Sequence, residues 1–357
     1  MHPISDPARP DAPDDRSVPL SNLPAGTAGT QPLVRRRSAL VLATAVALTA
    51  LAVSILGATP PAAATTTTRI AALQPFSVPA PANTSFGSLA KFESASSTKT
   101  AALLRGTPQL NSLAWSIAVA RATSVDPMTK VTNIKTGKVW YFRVPSGSVV
   151  TTGTDKHMTV VQPDGYTAYE CYKMTKVTST SWTTTYVVQQ DLRTNGLAGG
   201  ARASGISQIM GLIRTQEVAN KKIPHTLAVG IPNSMLKYGY VWPARAQDSD
   251  AATAYSGPIP MGSMMGIPPS VDLTKLNLSP EGLALGHGLQ DYGAHVLLRA
   301  GAVALYAEPL ADQTAVYRMR VDWKDKLYPL MRIMTNNTPT TVGGGGIRRQ
   351  PDALPLS

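Results

Sequence analysis

His157 and Glu170 are the residues whose types and spacing best suit chemistry. They lie in KHMTVVQPDGYTAYECYKM, residues 156–174. Two runs of alternating character flank Pro163-Asp164-Gly165, a turn sequence. If the loop is the four residues Gln162–Gly165, Val161 pairs with Tyr166 and His157 stands opposite Glu170. Their Cβ atoms would then lie about 5 Å apart on one face. A carboxylate beside an imidazole orients the ring or raises its pKa, which equips the pair for acid–base work. A structural ion pair near a sheet edge uses the same two residues. With His225 as a third ligand the set suits a divalent metal such as iron or zinc, although the two histidines are far apart in sequence.

Other candidates follow along the chain. His225 begins a strand in KKIPHTLAVGIPN, where Pro224 fixes the approach. Arg214 and Glu217 stand three apart on an expected helix, as an ordinary ion pair would. Tyr240, Trp242 and Arg245, in YVWPAR, end a strand. Aromatics there can stack on a sugar ring while Arg245 binds a carboxylate, and core packing explains Trp242 equally well. Gln290, Asp291 and Tyr292 close a helix where they can face a cleft, and His287 stands four before Asp291. Asp155 precedes the His157 strand.

The elements that must position these residues are mostly strands. Runs rich in Val, Thr, Tyr and Trp span Lys138–Val144, His157–Val161, Tyr166–Met174, Ser181–Gln189, Thr226–Ile231 and Tyr238–Trp242. Two helices are expected. Ile206–Lys221 carries Ile206, Ile209, Met210, Ile213 and Val218 at near-helical spacing. Ser279–Tyr292 has Ser279 as cap, Pro280 and Glu281 in the first turn, and Gly293 just beyond the end. Gly286 and Gly288 weaken it by roughly 1 kcal/mol each, so it depends on docking against a sheet. This pattern predicts a mainly β fold, a β-sandwich or jelly roll with two inserted short helices. The domain is expected over 111–337, after a Thr/Ser/Ala/Pro-rich linker over 65–110 and before a disordered, Gly- and Pro-rich tail over 338–357.

The N-terminus directs the chain outward. Arg35-Arg36-Arg37 precede the apolar run Ser38–Ala58, and Ala62-Ala63-Ala64 follow. This is the order of a secretory signal, and the run is also long enough to be a membrane anchor. Either way, residues 35–64 place the rest outside the cytoplasm. Residues 1–34, rich in Pro, Asp and Ser, are expected to be disordered. The membrane is then met only through this segment.

The 357 residues carry 33 Lys and Arg against 21 Asp and Glu, net +12. A basic exported domain suits anionic polymers or a cell wall, and a charge that serves only solubility explains the balance more simply. Basic blocks interleaved with aromatics are absent, which argues against nucleic acid. Cys171 is the single cysteine, so an internal disulfide and a four-cysteine zinc site are excluded. Phosphate loop, nucleophile elbow, HExxH and dinucleotide fingerprint are all missing.

An ordered series of short motifs carries a resemblance. It comprises Asp155-Lys156-His157, Tyr169-Glu170, the helix motif Gly211–Glu217, His225–Leu227, Trp242-Pro243-Ala244 and Gln290–Gly293. The series resembles a family of exported actinobacterial-type proteins without an assigned activity, over about half of this chain. Lys156 stands where Arg is common in that family. The resemblance implies that His157, Glu170, His225, Gln290 and Tyr292 are functional positions.

These readings converge on a secreted carbohydrate-active enzyme acting on an extracellular polysaccharide or cell-wall glycan. A hydrolase would use Glu170 with Asp155 or Asp291 as its carboxylate pair. A lyase would use His157 or His225 with Tyr292 as base and acid, and Gln290 or Arg245 on a uronate. Tyr240 and Trp242 would line the sugar path. The catalytic set expected is therefore His157, Glu170, His225 and Tyr292, with no cofactor. One alternative is a non-catalytic glycan-binding module, with a shallow aromatic face. Another is a metal-dependent jelly-roll enzyme, with an ion among His157, Glu170 and His225.

Overall fold

The computed structural model describes residues 68–357, and the expected signal or anchor and the N-terminal disordered segment lie outside them. In chain order the helices and strands begin with α1 (Thr98–Leu104) and β1 (Pro108–Asn111). Next come β2 (Ile117–Arg121), β3 (Met128–Asn133), β4 (Val139–Arg143), β5 (His157–Val161) and β6 (Thr167–Tyr172). They are followed by β7 (Thr175–Thr178), β8 (Ser181–Thr184), β9 (Tyr186–Asp191) and α2 (Thr215–Asn220). Then come β10 (Leu227–Ile231), β11 (Leu236–Tyr240), α3 (Ala251–Ala254), β12 (Ile259–Met261) and β13 (Met264–Gly266). The last are α4 (Pro280–Asp291), β14 (Ala294–Arg299), β15 (Val303–Tyr306), α5 (Gln313–Asp322) and β16 (Arg332–Ile333).

The fold is mainly β, as the strand pattern predicts, and has a sandwich-like part. Two four-stranded sheets, β2-β5-β6-β9 and β4-β3-β8-β7, enclose Val131, Phe142, Met158, Val160, Cys171 and Trp182. Each large apolar side chain buried there contributes about 1.5–3 kcal/mol. Alternation sets this: Met158 and Val160 point into the sandwich, and His157, Thr159 and Val161 point the other way. That other face is also covered, by the loop between β9 and α2, which is why Thr159 and Val161 are buried. The expected strand Ser181–Gln189 is two strands, because the chain crosses at Thr185 from one sheet to the other.

A six-stranded mixed sheet, ordered β1-β15-β10-β14-β13-β16, forms the other part. Leu285 and Leu289 of α4 and Val316 and Met319 of α5 pack with Val229, Val296 and Leu305 of the sheet. Ile206, Met210 and residues 71–82 pack with Ala228, Leu297 and Tyr306. A small parallel pair, β11-β12, forms its own two-stranded sheet and packs Leu236, Ile259 and Met261 into the same core.

Three expectations are corrected. The helix expected over Ile206–Lys221 is confined to Thr215–Asn220. At Gly211 the backbone has φ +75°, and a Cβ there would lie 2.1 Å from Ala228 N, so the apolar spacing before it packs as a loop. The expected linker contains α1 and β1 and the fully buried Phe86. The expected disordered tail is woven into the domain. Gly87 N–H donates to Gly343 O and Arg349 N–H to Phe86 O, both at 2.9 Å. Ser357 N–H reaches Arg69 O at 3.0 Å. Among the described residues, no helix is long and apolar enough to cross a membrane.

Candidate functional site

The His157 hairpin forms with a different register. Thr159, not His157, stands opposite Glu170, and Val161 pairs with Ala168. The slip is two residues, so parity survives and His157 and Glu170 still share a face. Gln208 joins them. Its Oε1 is 2.7 Å from His157 Nδ1, and its backbone N–H donates to Glu170 Oε2 at 2.9 Å. Gln208 Nε2 donates to Met158 O and Thr159 Oγ1. That fixes its oxygen toward His157, so Nδ1 carries the ring proton in the neutral imidazole. Burial holds the His157 pKa below its ordinary value, against the opposing charge of Asp155 and the Gln208 bond.

Glu170 is fully buried. It accepts from Ala201 N–H, Gln208 N–H and the Ser207 hydroxyl. Burial raises its pKa despite these bonds. Both oxygens are committed to holding residues 201–208 on the sandwich, so the hydrolytic role expected of Glu170 is corrected to one of loop organisation. Asp155 accepts from Tyr172 hydroxyl at 3.3 Å, and the His157 and Tyr172 rings lie 5.0 Å apart.

His225 belongs to a separate buried network. Its Nε2 pairs with Glu217, and its Nδ1 lies 3.0 Å from Thr226 O. Two acceptors call for two N–H groups, the protonated ring. Burial opposes that charge most strongly, yet Glu217's charge and the bonds to Glu217 and Thr226 outweigh it and raise the pKa. Arg214 does not pair with Glu217 as expected. Its guanidinium meets Glu308, while Glu217 accepts from the Arg214 backbone N–H at 2.8 Å. The adjoining cavity is about 10 Å³, room for about one water. His157, Glu170 and His225 therefore do not meet. Among the described residues, no group of three or more His, Cys, Asp or Glu is placed to hold a metal ion.

The roomier concavity lies beside Tyr292. A cleft of about 300 Å³ opens between residues 221–224 and α4, lined by Lys221, Lys222, His287, Asp291, Tyr292 and Gln350 among others. The sequence builds its α4 wall much as expected. Ser279 Oγ accepts from Gly282 N–H at 3.0 Å, Pro280 opens the helix, and Gly293 takes φ +71° beyond its end. Glu281 pairs with Arg318 through two 2.9 Å bonds. The helix glycines serve contact: a Cβ on Gly288 would lie 3.2 Å from Ile223, so Gly288 lets the 221–224 segment come close.

Within the cleft, burial and then Asp291's charge push the Tyr292 pKa up to about 12, so its hydroxyl keeps its proton at neutral pH. Asp291 is engaged by Arg349 Nε at 3.0 Å and Gln350 Nε2 at 2.7 Å. His287 is exposed, as are both lysines.

The remaining expected residues lie elsewhere. Gln290 is buried and donates to Val271 O at 2.7 Å, bracing a loop rather than facing a sugar. Trp242 is half-buried, edge-on to His295. Arg245 is exposed and donates to Leu197 O at 2.9 Å. Tyr240 is exposed at the end of β11. Of the expected catalytic set, only Tyr292 lines the cleft. Sequence reasoning passed over Lys221 and Lys222, where a KK-I-P run before His225 was the available signal. It also missed Gln208, His295, and Arg349 and Gln350 of the tail, whose partners are distant in sequence. Comparison of this chain with known protein families, curated proteins and solved structures finds no match.

Proposed function

We propose that this chain is a secreted carbohydrate-active enzyme that takes an acidic polysaccharide into the Tyr292 cleft and cleaves it by β-elimination. The observation that carries the reading is the pairing of Lys221 and Lys222 with Tyr292 and His287 around one concavity of about 300 Å³, a volume suited to a sugar unit. The lysines would neutralise a uronate carboxylate and so acidify the proton on C5. His287 is the candidate base for that proton. As the C4–O bond breaks, Tyr292 would give its proton to the departing oxygen. Hydrolysis by two carboxylates is less well served, since among the described residues Asp291 is the one carboxylate lining the cleft and is tied to Arg349.

The test is a panel of uronate-containing and neutral polysaccharides incubated with the protein. An absorbing unsaturated uronate, lost in Tyr292→Phe and His287→Ala, is the expected product. Reducing ends without that absorbance would sink elimination in favour of hydrolysis.

A second reading, a non-catalytic glycan-binding protein, is favoured by the outer sheet of the sandwich. Tyr141 is 63% exposed there and pairs across the strands with Lys130. The strands β3, β4, β7 and β8 contain no acidic residue. Polysaccharide retention without any cleavage, lost in Tyr141→Ala, would establish that reading instead.

A further inference from the structure

Away from the cleft, a buried cation presents an unused recognition edge. Arg202, on the loop between β9 and α2, is 6% exposed. Its Nη1 donates to Met210 O at 2.6 Å and to Ser207 O at 3.3 Å. Its Nε and Nη2 have no hydrogen-bond partner among the described residues. Nε and Nη2 form one edge of the guanidinium, the edge that matches the two oxygens of a carboxylate. Carbonyls hold the group in place from the opposite side, so the edge is oriented in advance. Unmet buried donors on a charged group are costly and call for an explanation.

Glu170 does not supply one. Glu170 is close enough to act on Arg202 electrostatically, but its oxygens are taken by Ala201, Ser207 and Gln208. The Ser204 hydroxyl, two residues on in the same loop, is also buried without a partner among the described residues. His157 and Tyr306 are both near enough to feel the charge of Arg202. His157 itself is half-buried, at the more exposed end of the cluster. Because Gln208 fixes the proton on Nδ1, the His157 Nε2 presents a lone pair that can accept from a hydroxyl.

We propose that Arg202 and His157 form a second site, distinct from the Tyr292 cleft, that binds a carboxylate carrying a neighbouring hydroxyl. Arg202 takes the carboxylate bidentately through Nε and Nη2. His157 Nε2 accepts the hydroxyl proton. A free small hydroxy acid and a uronic acid share this chemistry.

The experiment is calorimetric titration of the full chain with glucuronate and glycolate, and with glucose as the uncharged control. Glucuronate is expected to bind and glucose not. Binding of glycolate as well identifies a general hydroxy-acid site, and binding of glucuronate alone identifies a uronic-acid site. Arg202→Lys keeps the charge but loses the bidentate edge, and should weaken binding on the order of tenfold or more. Should that variant fail to fold, His157→Phe tests the same site from its half-exposed side and should weaken binding as well. Lys222→Ala removes any binding in the cleft, and the component that Arg202→Lys weakens should persist in it. No binding of either acid, or binding indifferent to a folded Arg202→Lys or to His157→Phe, overturns the proposal. Binding lost in Lys222→Ala and kept in Arg202→Lys places the ligand in the cleft and overturns it too.

Discussion

The His225 Nε2 lies 3.0 Å from both carboxylate oxygens of Glu217, and both side chains are buried. The imidazolium is stabilised in the folded chain, so its pKa is raised. Its stabilisation is fully present below the unfolded value of about 6.5 and is lost as pH rises through the higher folded value. His225→Gln should cost roughly 3–5 kcal/mol at pH 6, as breaking a buried pair does. Urea unfolding at several pH values should show the gap between wild type and variant narrowing as pH rises. A gap that does not change with pH would remove the charged pair from the account.

His295 has the opposite sign. It is fully buried, burial brings its pKa down to about 4, and its bond to Gly262 O only partly opposes this. The unfolded chain therefore binds the extra proton first on acidification. Stability should fall by about 3 kcal/mol between pH 6.5 and pH 4 through this residue alone. His295→Phe keeps the ring volume and should flatten that part of the stability–pH curve. An unchanged slope would show that the ring takes up its proton as readily in the fold as in the unfolded chain.

Glu170→Gln tests the loop-organising role. The amide oxygen can keep Ala201 and Gln208 N–H, but the NH2 must then face Ser207, whose hydroxyl loses its bond to the carboxylate and has to accept instead. The expected loss is about 2 kcal/mol or more. Hydrogen exchange should accelerate at residues 201–208 and stay unchanged in α4. Exchange that accelerates uniformly would argue for a general core effect.

Gly282→Ala separates helix propensity from packing. On propensity alone it should stabilise α4 by about 1 kcal/mol. A Cβ at this position would lie 2.0 Å from Asp322 Oδ2, the same oxygen that accepts from Ser279 N–H at 2.7 Å. Steric conflict should win, with a net loss of roughly 1–3 kcal/mol in thermal or urea unfolding. A gain in stability would mean that Asp322 moves aside freely.

Legibility in the sequence followed the range of the forces involved. The strand His157–Val161 and the helix ending before Gly293 stand where local pattern puts them, because alternation, capping and a left-handed glycine act within a few residues. The shared face of His157 and Glu170 also came through, since parity survives a two-residue slip. Their direct opposition did not, because loop length decides it. The helix over Ile206–Lys221 failed at Gly211, where β10 approaches too closely for a helix, a contact that no local window contains. The Gly343–Gly346 run has the composition of a disordered tail, but its positive φ values let it lie along residues 85–90. The cleft was half visible: Asp291 and Tyr292 are adjacent at the end of α4, while Gln350 is distant in sequence.

The pairing of β1 with β15 sets a kinetic order for assembly. Pro108 pairs with Val303, and all eight sandwich strands lie in the chain between them. Closing so long a loop is entropically slow, whereas most sandwich pairings join strands close in sequence. The sandwich should therefore gain exchange protection first, with β1 and β15 protected last, in a pulse-labelling experiment. In that order the β1 edge of the large sheet stays open until the last third of the chain has been made, which identifies β1 and β15 as the place where a second copy of the chain could pair wrongly.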